Sequence, residues 1–543
     1  MNKSFNQFTF SSRRLRLMAE FRKYSAEDIR RLVKPEWIRP IVDPKLYKLV
    51  KPCTARELWS GKEGEIFVAH VPEGVNIPRY HYSVAYYLTK ALIHESKSPS
   101  KVMIKPNNSA FVGAFWHDPR LRQIMHANGI GLNADLQPIA TQPAMLAGIV
   151  DALLEEGVDE IHIAENMLWP GPLRAFWETG YVNVFSEEKY KNKVFFVDLY
   201  EDNVELIEMP IKAIKDYDLG FFNKMRPPKA LFDENYDTIV IASIAKMHNS
   251  AFYSLLMKNF SITWNPQAVR WHVHGVPIKL FDREYVSELL KEKVPSDRTY
   301  KVFMINDKVI ISNGLISSAP LMTCKEENEL LIVSDAHLQC TNMAPFILGM
   351  GYVIVRYLGM FATILDKLRE KGINVIGLLS GVVGMEGEGP LIYGRRRLGG
   401  FAVASNRFVA AESLALDIMV GHGNMSFPDV VLVENKHFCE KYSIEDMESV
   451  LAEAREPWSL KLAEKLLDES ANPSSFTVRL FDFEGLEEVK RPWDLRNGPP
   501  FELPKGVFVS PKTWLRLMYF EEALYKHALD FIDKGITVPL VPI

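Results

Sequence analysis

The chain has 543 residues, 47% hydrophobic and 24% charged, the makeup of a soluble globular protein with several domain-sized units and large cores. Its 64 basic and 68 acidic side chains leave a formal charge of −4, which argues against a general nucleic-acid partner. Cys53, Cys324, Cys340 and Cys439 form no CxxC pair, so neither a zinc ribbon nor an iron–sulfur motif lies within the chain.

Residues 1–95 form a basic lead. Arg13, Arg14, Arg16, Arg22, Lys23, Arg30, Arg31 and Lys34 crowd its early part. Ser12-Arg13-Arg14 resembles a twin-arginine export signal, but the following LRLMAEFRKYSAEDIRR has no apolar run. A basic helix face on the body is the plain reading, and a protein partner for that face is the other. Few cysteines and no export signal predict a cytoplasmic protein. The lead ends in an aromatic helix over 80–95.

Residues 96–440 read as an α/β core, with 96–235 and 236–440 as two candidate lobes. The run from Lys101 to Lys105 is a strand entering a Pro106-Asn107-Asn108 turn. Gln142 to Gly157 carries apolar residues at the 3.6-residue spacing of one helix face, and Asp159 to Ala164 is a second strand. Strand, helix and strand in that order make a βαβ unit and a parallel sheet. Val194–Tyr200 and Val204–Met209 read as a hairpin. Asp237–Ser243 is a buried strand, followed by a helix over 250–260. Lys301–Ile305 and Val309–Ser312 form a second hairpin.

Met343 to Leu365 is apolar, but Arg356 divides it, so it reads as a buried helix over 345–371 ended by Gly372, with no transmembrane segment expected. Asn374–Leu379 is a strand feeding a glycine-rich loop, Phe401–Ser405 a strand leaving it, and Phe408–Val420 a helix closed by Gly421. The expected fold is therefore α/β, a mostly parallel sheet covered by helices with added antiparallel hairpins. Residues 441–543 are a helical extension with a proline-rich linker near 485–505 and a last helix over 511–534.

The segment Gly381–Gly400, GVVGMEGEGPLIYGRRRLGG, holds seven of the 31 glycines. It matches neither a Walker A loop nor GxGxxG. At a strand's carboxyl end, where open α/β sheets place their crevices, Gly387 and Gly389 would cradle an anion with backbone N–H groups. Arg395 and Arg396 would clamp a carboxylate or phosphate, and Glu386 and Glu388 would serve as acid or base. The plain alternative is a tight connection whose glycines satisfy packing.

Lys246 and His248 follow the strand 237–243 and so belong to the same edge, with Lys258 and Asn259 ten residues on. Lysine suits an anion and histidine a proton transfer. Lys105 and Asn107 fit the same crevice. His272 and His274 share a strand face and are weak candidates for a divalent metal site.

Lys105-Pro106-Asn107, Lys246-Met247-His248 with Lys258-Asn259, and Gly387-Glu388-Gly389-Pro390 occur in an order that resembles the family of domain of unknown function 362, over about residues 100–435. The resemblance strengthens the grouping of these segments into one site and implies no reaction. Many relatives carry an iron–sulfur segment that is missing here. Three positions depart from the family pattern: Gly381 replaces an aspartate, Glu388 an asparagine, and Glu412 the aspartate of the later helix. The residues favour an enzyme acting on a small anionic molecule, metal-assisted or not. The alternative is a non-catalytic accessory or binding protein for a redox or metal-cofactor system.

Overall fold

The computed structural model describes residues 21–35, 38–61, 63–74, 76–93, 99–108, 116, 119–166, 172–199, 205–212, 224–225, 227–248, 252–263, 301–305, 308–312, 343–387, 389, 391–421, 458–486 and 488–503. His272, His274, Glu388 and the helix expected over 511–534 lie outside them.

The strands in chain order are β1 (Lys23–Tyr24), β2 (Thr54–Trp59), β3 (Glu63–His70), β4 (Lys101–Pro106), β5 (Glu160–Glu165), β6 (Val194–Asp198), β7 (Met209–Pro210), β8 (Lys224–Met225), β9 (Thr238–His248), β10 (Phe252–Ser254), β11 (Lys301–Ile305), β12 (Lys308–Ser312), β13 (Asn374–Gly387), β14 (Gly394–Arg397), β15 (Phe401–Ser405) and β16 (Phe476–Asp482). Twelve of them form one sheet, ordered β1-β6-β5-β4-β9-β13-β15-β3-β16-β2, with β10 on β9 and β14 on β13. Its centre, β6-β5-β4-β9-β13, is parallel throughout. Antiparallel strands flank that centre on both sides. The fold is thus α/β with a mixed, mostly parallel sheet spanning both candidate lobes.

The parallel strands are apolar along both faces because helices cover both. On one side Ile77–Ile93 packs on Pro143–Glu155, burying Leu88, Leu146 and Val150 against Ile104, Ile163 and Val240. Gly148 lets the two helix backbones meet there, since a methyl group at that position would strike the Tyr82 carbonyl. On the other side the helices Leu256–Thr263, Met343–Glu370 and Phe408–Met419 bury Phe260, Phe361 and Phe408. The long helix stops at Gly372, whose φ of 75° suits glycine. No helix among the described residues is long and apolar enough to cross a membrane.

Three local expectations change. The segment 194–209 is no hairpin, because β6 pairs with β5 and β1 while β7 pairs with β8. The strand before Lys246 continues to His248, and Phe252–Ser254 folds back on it before the helix begins at Leu256. Aromatic Phe252 and Tyr253 favour an edge strand over a first helical turn. The glycine segment is largely strand. β13 runs 14 residues to Gly387 and hairpins into β14. Its glycines let neighbours approach: a Cβ on Gly384 would lie 2.7 Å from the Ala245 carbonyl, and one on Gly381 would enter the Phe401 ring. At Gly381 the Phe401 ring fills the space a side chain would need.

The proline-rich stretch near 485–503 lies on the body. Leu495 and Phe501 are buried, and Phe501 N donates to the Met419 carbonyl at 2.8 Å.

Candidate functional site

The carboxyl ends of β4, β5 and β9 converge. Lys105 pairs in register with Ile241, while β9 continues past β4 to carry Lys246 and His248. Lys105, Lys246, His248 and Lys258 are all buried, at 0%, 2%, 3% and 6% exposure.

Each lysine has different company. Lys105 Nζ lies 2.7 Å from Glu165 Oε1, with both side chains fully enclosed, and donates to the Pro106 carbonyl at 2.6 Å. Burial pushes the Lys105 ammonium down and the Glu165 carboxyl up, and their mutual attraction opposes both shifts. Lys246 Nζ donates to Asn107 Oδ1 at 2.9 Å and to the Ile139 carbonyl at 2.5 Å, both neutral. Burial lowers its pKa to about 7. Lys258 Nζ meets His248 Nε2 at 2.9 Å, and burial, reinforced by the charge of Lys246, lowers it to about 7.

A polar frame holds these groups. Asn107 N donates to Thr141 Oγ1 at 2.8 Å, and Thr141 Oγ1 to the Ala242 carbonyl at 2.8 Å. Asn259 Nδ2 donates to the same carbonyl at 3.4 Å. Glu165 also accepts from the backbone N–H groups of Asn108 and Asn166, each at 2.8 Å. Among the described residues, Asn108 Oδ1, both amide atoms of Asn166 and Gln142 Oε1 are buried with no hydrogen-bond partner. Buried polar atoms are rarely left so, and their clustering beside the lysines fits a polar ligand.

The glycine hairpin lies over β9. A methyl group on Gly389 would collide with the Met247 carbonyl, between Lys246 and His248, so glycine permits the close approach. Gly387 takes φ 69° and donates to the Glu502 carbonyl. Glu386 faces Arg395 across the hairpin, with Arg395 Nη2 2.8 Å from Glu386 Oε1, and accepts from Glu502 N at 3.1 Å. Arg395 and Arg396 are solvent-facing residues of β14, and Arg396 N donates to the Asn128 carbonyl.

Glu412 anchors the helix that carries Lys258. It accepts from Met257 N at 2.6 Å, and its other oxygen is buried with no hydrogen-bond partner among the described residues. Burial raises its carboxyl to about 8. Glu412→Ala should therefore orphan buried N–H groups at the helix start and cost about 1–3 kcal/mol. Glu412→Gln keeps an acceptor and should cost less than half as much; thermal denaturation of both variants checks this.

Glu165, Asn166 and the Ile139 carbonyl escape the motif reading. The signal for Glu165 was present, a charged residue and an asparagine at a strand's carboxyl end, as at Lys105 to Asn107. Ending the strand at Ala164 left Glu165 just outside it.

Taken together, this is an α/β protein with a buried, lysine-rich polar site at the carboxyl edge of its parallel strands. The family model described as Domain of unknown function (DUF362) matches residues 128–417, more than half of the chain, and the chain belongs to that family. No curated protein matches. A structural-genomics crystal structure of a Thermotoga maritima protein aligns over 61% of this chain and 56% of its own, at 10% identity and a TM-score of 0.27. The chain thus spans little more than half the length of that protein.

Proposed function

We propose that the protein is an enzyme that binds a small carboxylate or phosphate among Lys105, Lys246 and Lys258, with His248 as its acid or base. The observation that carries this reading is a charge imbalance: of the buried Lys105, Lys246 and Lys258, only Lys105 is ion-paired with a carboxylate, Glu165, among the described residues. Unpaired buried charge is expensive, and an anionic ligand would supply what the chain withholds. Asn107 and Asn259 orient the frame, Asn108 Oδ1 would accept from the ligand, and the Asn166 amide would accept and donate to it.

In this reading Gly387 and Gly389 let the hairpin cover the ligand, and Arg395 and Arg396 attract it from outside. Glu386, engaged with Arg395, holds the hairpin in place, and Glu388 is the remaining acid or base candidate of this segment. No group of three or more His, Cys, Asp or Glu side chains among the described residues could hold a metal; His272 and His274 lie outside them.

Calorimetric titration of the full chain with inorganic phosphate and with small carboxylates tests the proposal. At least one should bind, and Lys246→Met should weaken it by about a hundredfold or more. Equal affinity in the two proteins would remove Lys246 from the site and the reading with it.

A further inference from the structure

Lys258 differs from the other two lysines in what surrounds it. Lys105 has a carboxylate, and Lys246 has two neutral oxygen acceptors. Lys258 Nζ has a nitrogen, His248 Nε2, at 2.9 Å. At that distance one of the two nitrogens must offer a lone pair, so the pair never carries both protons. Lys258 also sits in the first turn of the helix Leu256–Thr263, where the peptide dipoles disfavour a positive charge. The nearby charge of Lys246 disfavours it further. The acid beside that helix start, Glu412, is itself kept near neutrality by burial and offers little relief. A lysine whose pKa is lowered to about 7 by desolvation and a cationic neighbour is in large part free amine near neutral pH, and so an activated nucleophile.

Resting on the anion-site reading above, we infer that Lys258 condenses with the carbonyl group of a small 2-oxo carboxylate, whose carboxylate Lys246 receives and whose proton transfers His248 conducts. The Nζ lone pair forms the C–N bond while the carbonyl π pair moves to oxygen. The two amine protons pass by way of His248 to that oxygen, which leaves as water, and a C=N bond remains. No oxidant or reductant is consumed. An imine on Lys258 draws electrons from the adjoining carbon, so the reactions it serves are those that break a bond at that carbon.

The test incubates the full chain with pyruvate, adds sodium borohydride, and maps the reduced adduct by peptide mass spectrometry. The adduct should form on Lys258 at least about tenfold faster than on exposed Lys48 or Lys51, as expected for a bound and aligned carbonyl. Excess inorganic phosphate should suppress it, and His248→Asn should slow it while pyruvate binding by calorimetry persists. Lys258→Met should remove it; should that variant not fold, site mapping in the wild type and His248→Asn carry the test. Anion binding without preferential labelling of Lys258 would overturn the imine and leave the anion site standing. Absence of binding by every anion tried would overturn both.

Discussion

Glu165→Gln is expected to destabilise the protein by about 3–5 kcal/mol, the cost of stranding a buried charge. Lys105 Nζ and Glu165 Oε1 are 2.7 Å apart, and neither side chain reaches solvent. Glu165 also accepts the Asn108 and Asn166 amides, so one carboxylate serves three donors. Glutamine offers one acceptor oxygen and turns an NH2 group towards a donor. The loss thus has a charge component and a hydrogen-bond component. Lys105→Met combined with Glu165→Gln should recover the charge component and come out more stable than Glu165→Gln alone. Denaturant midpoints of the three variants separate the two. A loss under about 1 kcal/mol for Glu165→Gln would mean that Lys105 is neutral in the folded protein.

Anion affinity should fall steeply as pH rises through about 7, while the stability of the ligand-free protein moves the other way. Lys246, facing Lys105, Glu165 and Asn107, and Lys258, facing Lys246 and His248, both have pKa values lowered to about 7 by burial. Unfolded lysine titrates near about 10.4. Between these values the unfolded chain holds protons that the folded chain has released, so stability rises with pH in that window. The slope reaches about 1.4 kcal/mol per pH unit for each lysine. Below about pH 7 both states are protonated and the full penalty of burying the charges is present. An anion needs the ammonium forms, so its affinity should drop by up to about tenfold per pH unit for each proton taken up on binding. Lys246→Met should stabilise the ligand-free protein most at and below about pH 7, with the gain shrinking towards about pH 10. Thermal melts and phosphate titrations from about pH 6 to about pH 9 check both trends. A flat affinity across that range would show that no lysine proton accompanies the anion.

Much of the site was legible because strand ends are legible. An apolar run that stops at a lysine and an asparagine, as at Lys105 to Asn107, marks a carboxyl edge. Parallel pairing then aligns such edges, which is why Lys105 and Lys246 come together from positions 141 residues apart in the chain. The glycine segment was legible as unusual and misread as a loop. Glycine permits close approach within a strand as readily as a turn, and the contacts of Gly384 with Ala245 are visible only in three dimensions.

By itself the sequence determined the α/β class, the βαβ order, the long buried helix with its Gly372 stop and the grouping of Lys105, Lys246, His248, Lys258 and Asn259. The first three follow from local periodicity, caps and breakers, which act within a few residues; the grouping follows from strand ends that parallel pairing aligns. Only the tertiary structure decided which lysine has a carboxylate, which has an imidazole, and that Glu386 is engaged with Arg395. It also decided that Glu412 anchors the helix bearing Lys258. The pairings of Lys105 with Glu165 and of Met257 with Glu412 join elements distant in the chain, and the energy of a buried charge depends on the partner that folding brings to it.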